Sequence, residues 1–382
     1  MTTGFFEDAQ DVILLHYGSP RESSFLRRRT GLGSPASLLY LKDSSGEKVY
    51  VPPYEFLEFR SRSRMHQVFS VDALPGYTGE FARALITLLE RESKPVWVSA
   101  FCPAWLYQRV LASGIDVSVH EHVFVQALLT KGAEEVEAIA ATASVVRRCF
   151  SFIEELLASS IVRDGRLWLG SSALTSSTLL RRASVFLAES DIICDPGVIA
   201  CGEHGFDPHC SFEHILQANE PIIVDLACRH VRHGYYCDTA RTYCKGEPRL
   251  ARFGELYAGV LRVKGRMENV LRAGVLVSDI FEQAKECLAE AGVTITHSTD
   301  DILERNDAFC HHSLGHGIGL DLHEPPLIDS KAKVPLWAGM VLAVEPGAYL
   351  RGFGGVRLED TLVVTSDGCD NLTQSACRLL IE

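Results

Sequence analysis

The stretch AVEPGAYLRGFGGVRLED, residues 343–360, places two carboxylates, Glu345 and Glu359, in apolar and glycine-rich sequence. Pro346 disfavours helix at Glu345 and keeps it extended. Val356 and Leu358 alternate with Arg357 and Glu359, so in a strand Arg357 and Glu359 share a face. Isolated charges are rarely buried without a partner or a metal.

Three segments upstream repeat the pattern. Pro221-Ile222-Ile223-Val224-Asp225 ends an apolar strand on a carboxylate. Gly234 to Thr242 carries Asp238 and Arg241. Gly315-His316-Gly317-Ile318-Gly319 carries an imidazole, with His323 beyond it. The glycines there let neighbouring backbone come close, and their spacing is not that of a dinucleotide fingerprint. Asp225, Asp238, Glu345, Glu359 and His316 together form a hard, oxygen-rich donor set. Four adjoining carboxylates would repel one another and their pKa values would rise. Two divalent cations would balance them, so a two-metal hydrolytic site is the electrostatically sensible expectation.

These ordered segments resemble the pita-bread metallopeptidases: aminopeptidase P, prolidase and methionine aminopeptidase, with creatinase as a metal-free relative. The resemblance spans about residues 131–382. It implies that Asp225 binds one metal, His316 and Glu345 the other, and that Asp238 and Glu359 bridge them. It further implies that His209, in Asp207-Pro208-His209, and His323 contact substrate or intermediate. Glu345 shuttles a proton, and Arg357 supports the last ligand. The implied reaction is dinuclear metal-dependent hydrolysis of peptide bonds preceding proline, aminopeptidase P-like or prolidase-like. The cofactors are two divalent ions, manganese first, with cobalt, zinc or iron as alternatives. A proline-containing peptide is the implied partner and a homodimer the implied assembly. Another specificity within the family, or a peptide-binding module that has lost catalysis, is the competing reading.

Three features depart from the family pattern. The connection from Asp225 to Asp238 is about two residues longer than usual, an even change that preserves side-chain facing. Ala227 stands for the usual Gly and Ala240 for the usual Thr. The presence of all five ligands argues against a creatinase-like enzyme, and a separate N-terminal domain against methionine aminopeptidase. The fourteen positions from Glu345 to Glu359 resemble the small prolidases.

Working outward, 382 residues suggest two domains. Residues 1–125 are expected to form a creatinase-type N-terminal domain and 131–382 the catalytic domain. The fold class expected is thus an α/β N-terminal domain plus an α+β C-terminal pita-bread (creatinase/aminopeptidase) domain. In the first part, 12–17, 36–42, 48–53, 96–101 and 115–120 read as strands, and 80–93 and 103–113 as helices. Asp43-Ser44-Ser45-Gly46 reads as a hairpin turn. Residues 126–133 read as a linker. Helices are expected at about 134–159, within 172–189, at 251–272 and at 278–291.

The chain is acidic, at −12, with no dense basic stretch, which makes it a poor candidate for nucleic-acid binding. Arg27-Arg28-Arg29 reads as a solvated loop. No apolar run reaches the length of about 18 residues that a membrane span needs. MTTGFFEDAQ lacks the features of an export signal, and the twelve cysteines are scattered without a C-x-x-C pair. Reduced thiols and a cytoplasmic setting follow as expectations. His230 and His233 are expected to be exposed. His311 and His312 flank the site without matching a ligand position. Arg241 reads as a hairpin anchor or a site residue with equal weight. Cys237, facing away from Asp238, and Cys310 read as packing residues.

Overall fold

Ile13 and Leu15 face one side of a strand and Leu14 the other, and each side meets its own layer of helices. That strand, Ile13–Gly18, lies inside a six-stranded sheet. The order is Gln67–Ser70, Gly46–Val51, Leu38–Asp43, Ile13–Gly18, Val96–Val98, Val117–Val119. On one face pack Phe81–Glu92 and Ala104–Ala112, through Ala82, Leu85, Leu89, Leu106 and Val110. On the other lie Phe25, Leu26, Phe59 and Phe124. The Asp43–Gly46 turn closes as its residue types require. Asp43 Oδ1 accepts from the Ser45 N–H at 2.7 Å and its hydroxyl at 2.6 Å, and Gly46 takes φ +114°.

The computed structural model describes residues 11–382, so MTTGFFEDAQ lies outside the described residues. The chain divides after Leu128 into two units. Two local expectations fail in the first unit. Arg27, Arg28 and Arg29 are not a solvated loop: they lie half-buried in the helix Ser24–Thr30. Ser23 caps that helix, Arg29 pairs with Glu47 at 2.5 Å, and Arg28 donates to the Ala127 carbonyl. Half of the supposed linker, residues 126–129, is helical, within Glu121–Leu129. Its run of apolar residues buries against Phe25 and Tyr40 instead of spanning open solvent.

The second unit opens with the helix Ala133–Ser159. Its buried positions Ile139, Thr142, Ala143, Val146, Cys149, Phe150, Ile153 and Leu157 recur at helical spacing. Glu135 accepts the Gly132 N–H at 2.7 Å at one end, and the Ser160 hydroxyl reaches the Leu157 carbonyl at 2.6 Å at the other. Each fully buried Leu or Ile is worth about 1.5–3 kcal/mol, so the stripe holds the helix more than propensity does. It packs with Ser176–Ala188 on one face of a four-stranded sheet ordered Ile192–Cys201, Pro221–His230, Tyr236–Lys245, Leu380–Ile381.

A five-stranded sheet runs Glu324–Leu327, Gly315–Gly317, Val341–Val344, Asp360–Val364, Cys369–Asn371. A smaller sheet runs Val293–Ile295, Ala308–Cys310, Gly347–Leu350, Gly354–Arg357. The helices Phe253–Val270 and Val277–Glu290 follow the second-unit reading closely. The sheet of Tyr236–Lys245 and the five-stranded sheet meet where the Glu359 N–H donates to the Ala240 carbonyl at 2.9 Å. The Thr361 hydroxyl accepts the Asp238 N–H at 3.0 Å and donates to the Asp238 carbonyl at 2.8 Å. Glycine makes close approach possible at Gly315 and Gly317, where a Cβ would collide with the carbonyls of Ala343 and Pro325. No helix among the described residues is long and apolar enough to cross a membrane.

Candidate metal centre

Register decides where the carboxylates meet. Asp225 stands opposite Ala240, and Asp238 opposite Ala227. Residues two apart share a face, so both carboxylates emerge on the same side of the hairpin. The longer connection leaves this parity intact. The other face carries Val224, Leu226, Cys228 and Cys237 into the core. Cys237 therefore points away from Asp238, and Cys310 is buried as well.

His316 enters from the neighbouring sheet, opposite Ala343. Its Nδ1 donates to the Gly317 carbonyl at 2.9 Å, which turns Nε2 towards the acids. Nε2 lies 3.9 Å from Asp238 Oδ2 and 3.9 Å from Glu345 Oε1. Donor atoms of Asp238, His316 and Glu359 lie within 4.8 Å of one another, and all three residues are buried. Asp225 and Glu345 line the same cleft of about 450 Å³, as do His209, His323 and Arg357. Every residue singled out for the site in the sequence thus borders one cavity. His209 and His323 are exposed on its rim, and the His323 ring stands edge-on to His316 at 4.5 Å.

The electrostatics are those of crowded, dry carboxylates. Burial first, then Asp225 and Glu345, raises the pKa of Asp238. Burial first, then Asp238 and Asp225, does the same for Glu359. Glu345 is pushed up to about 8, chiefly by burial, with Arg357 opposing and Asp225 adding. Burial lowers His316 to about 4, which keeps its imidazole neutral. Oxygen-rich donors held close, buried and short of counter-charge fit divalent cations.

Arg357 supplies the cation nearest the acids. Its Nη2 donates to Asp225 Oδ2 at 2.5 Å and to the Pro208 carbonyl at 3.2 Å. Its Nη1 donates to the Tyr349 hydroxyl at 3.0 Å. That hydroxyl also meets His312 Nε2 at 2.8 Å, and His312 Nδ1 lies 3.6 Å from Glu345 Oε2. A polar chain therefore runs behind the cleft from Glu345 through His312, Tyr349 and Arg357 to Asp225. His312 borders the cleft, and burial lowers it to about 3. The sequence reading left His312 ambiguous and did not single out Tyr349. Their pairing spans 37 positions and depends on strand register, which no local pattern encodes.

Two other histidines differ from expectation. His230 and His233 are half-buried, not exposed, because their rings stack on each other at 4.0 Å. Arg241 proves to be an anchor outside the cleft. It pairs with Asp360 at 2.6 Å and donates to the Glu359 carbonyl at 2.6 Å.

The model of metallopeptidase family M24 matches residues 112–366, about two thirds of the chain. A probable dipeptidase PepE of Mycobacterium tuberculosis is 31% identical over 185 residues, covering 48% of this chain and 45% of that protein. An Xaa-Pro dipeptidase of Pyrococcus furiosus is 32% identical over 184 residues, 48% of each. The chain spans about half the length of these curated relatives. A solved structure, an Xaa-Pro dipeptidase from Bacillus anthracis, covers 100% of this chain and 97% of its own. It superposes with a TM-score of 0.79 at 20% identity, a likeness of fold that runs through the α/β first part and the pita-bread second part. Taken with a family match of that length, this makes the chain a member of metallopeptidase family M24.

Proposed function

We propose that this protein is an Xaa-Pro peptidase, hydrolysing the bond before proline with two divalent metal ions. The observation that carries the reading is the convergence of four carboxylates and one neutral imidazole on one cleft. The relatives named Xaa-Pro dipeptidase support the choice of substrate. In this reading Asp225 would hold one ion, His316 and Glu345 would hold the other, and Asp238 and Glu359 would help to hold both. Manganese is the first candidate, with cobalt, zinc or iron next. When bound, such ions supply Lewis-acid polarisation and a more acidic water.

The chain's own residues supply the rest. Glu345, on the cleft wall with the other acids, is suited to take a proton from the attacking water and pass it to the proline nitrogen. That nitrogen must be protonated to leave. His209 and His323, on the rim, are placed to donate to the tetrahedral oxygen or to the residue after the cleaved bond. Arg357 holds Asp225 in position. Pro196, Val198, Leu322 and Leu327 offer apolar wall to a proline ring. A creatinase-type domain over residues 1–125 preceding a catalytic domain over 131–382, a homodimer and a cytoplasmic setting complete the proposal.

The test is hydrolysis of X-Pro dipeptides and X-Pro-Y tripeptides, with and without chelator, by the chain and by Glu359→Ala. Chelator and substitution should each abolish release of X. Metal-loaded protein inert towards both substrate series would overturn the reading and favour a peptide-binding module.

A further inference from the structure

Cys194 and Cys228 stand directly opposite each other on the antiparallel strands Ile192–Cys201 and Pro221–His230. Opposed residues share a face, with Cα atoms about 4.5 or 5.5 Å apart. A disulfide needs about 4.4–6.8 Å, so the strand register holds the two Cα atoms at a separation that a disulfide can span. The pair lies on the core side of the sheet, away from Asp225, where Cys149 and Cys237 also pack. Cys237 is the opposed residue of Cys228 on its other side.

The thiols differ in access. Cys149, Cys228 and Cys237 are buried, whereas Cys194 is half-buried. A bulge follows Cys194 at once, between Cys194 and Gly197. The ladder is interrupted there, and the Cys194 thiol donates to the Pro196 carbonyl at 3.5 Å. The Cys194 thiol, with burial second, keeps the proton on Cys228. The outer sulfur is therefore the one an oxidant meets first, and the inner one is held ready behind it.

We propose that Cys194 and Cys228 are a thiol oxidation site, forming a reversible disulfide when the chain meets a hydroperoxide. The Cys194 sulfur attacks the peroxide O–O bond. For hydrogen peroxide one oxygen leaves as water and Cys194 becomes a sulfenic acid. The Cys228 sulfur then displaces that hydroxyl, which leaves as a second water, and the S–S bond forms. Two thiols are oxidised by two electrons, one peroxide is reduced to two waters, and a dithiol reverses the change. Pro196 and Val198, on the Cys194 strand, belong to the cleft wall, so the bond would tie that wall strand to its neighbour from behind.

The experiment treats the full-length protein, as purified with its metal, with hydrogen peroxide. Non-reducing peptide mapping follows, with and without a dithiol. A crosslinked peptide joining Cys194 to Cys228 should be the main oxidised species and vanish on reduction. Cys194→Ser should lower it at least tenfold and leave Cys228 a free thiol. Cys228→Ala should instead yield over-oxidised Cys194. Should Cys228→Ala fail to fold, the wild-type map still decides. Cys194 sulfinic or sulfonic acid beside an unmodified Cys228, or a crosslink to Cys149 in its place, would overturn the proposal.

Discussion

Replacing Lys131 with Met removes one half of a buried ion pair that pins the loop between His316 and His323. Lys131 Nζ lies 2.6 Å from Glu324 Oε2, and the two side chains are 3% and 2% exposed. The other carboxylate oxygen accepts the N–H groups of Leu320 at 2.9 Å and Asp321 at 3.2 Å. Gly319 makes room for the pair, since a Cβ there would strike both side chains. Removing one partner of a buried pair costs about 3–5 kcal/mol, because the other charge is left uncompensated. In Lys131→Met, Glu324 keeps its two backbone donors, which places the cost near the lower bound, about 3 kcal/mol.

In Glu324→Gln, the single amide oxygen can serve either the Lys131 ammonium or the Leu320 and Asp321 N–H groups, and the other side then faces the amide NH2, so the cost moves to the upper bound, about 5 kcal/mol. The double variant should recover at least about 2 kcal/mol relative to the sum, as contacting residues do not add. Hydrogen exchange resolved to peptides spanning 314–328 reads this directly. A loss of about 3 kcal/mol in local opening free energy means exchange roughly a hundredfold faster, while peptides of the first-unit sheet should not change. Exchange within threefold of wild type in both single variants, or strict additivity in the double, would refute the reasoning.

Other predictions concern the centre itself. Chelated protein should lose stability as pH rises. Glu345 titrates near 8 in the fold, above its ordinary value, so the native state binds more protons and the slope of stability with pH is negative. The loss begins near the ordinary carboxyl pKa and, for Glu345 alone, reaches about 3 kcal/mol at pH 7; thermal melts from pH 5 to 9 that rise or stay flat would contradict it. Asp360→Asn removes the carboxylate paired with buried Arg241 and one of the two paired with Lys264, which keeps Glu268, and should cost about 3–5 kcal/mol in urea unfolding. His323→Ala should lower kcat about 10²–10³-fold if its ring donates to the developing oxyanion, with metal content by mass spectrometry unchanged.

The parts of the fold that read correctly are those with strong local periodicity. Ala133–Ser159 and Phe81–Glu92 carry apolar residues at helical spacing, and their ends fall close to the expected positions. Short elements escaped. Ser24–Thr30 has seven residues, three of them arginine, and is held by its cap and by contacts distant in sequence. Residues 126–133 read as a linker because the nine-residue apolar helix Glu121–Leu129 that enters this stretch offers little polar face to recognise. His230 and His233 were misjudged because ring stacking is a pairwise event that no single position announces.

Local sequence determined which side chains the chain can offer to a metal. Charged residues set in apolar strands, with Pro346 and the glycines around His316 shaping their backbone, already restricted the choice to five candidate ligands and a few candidate supports. Tertiary structure decided what those groups do to one another. Asp225 pairs with Arg357 at 2.5 Å across 132 positions, and Glu345 feels the charge of both Arg357 and Asp225 across the cleft. Such links depend on register between sheets and on exclusion of water. Both arise only when the whole core closes, so the elevated acidity constants, the neutral imidazole and the paired thiols of Cys194 and Cys228 belong to the folded molecule alone.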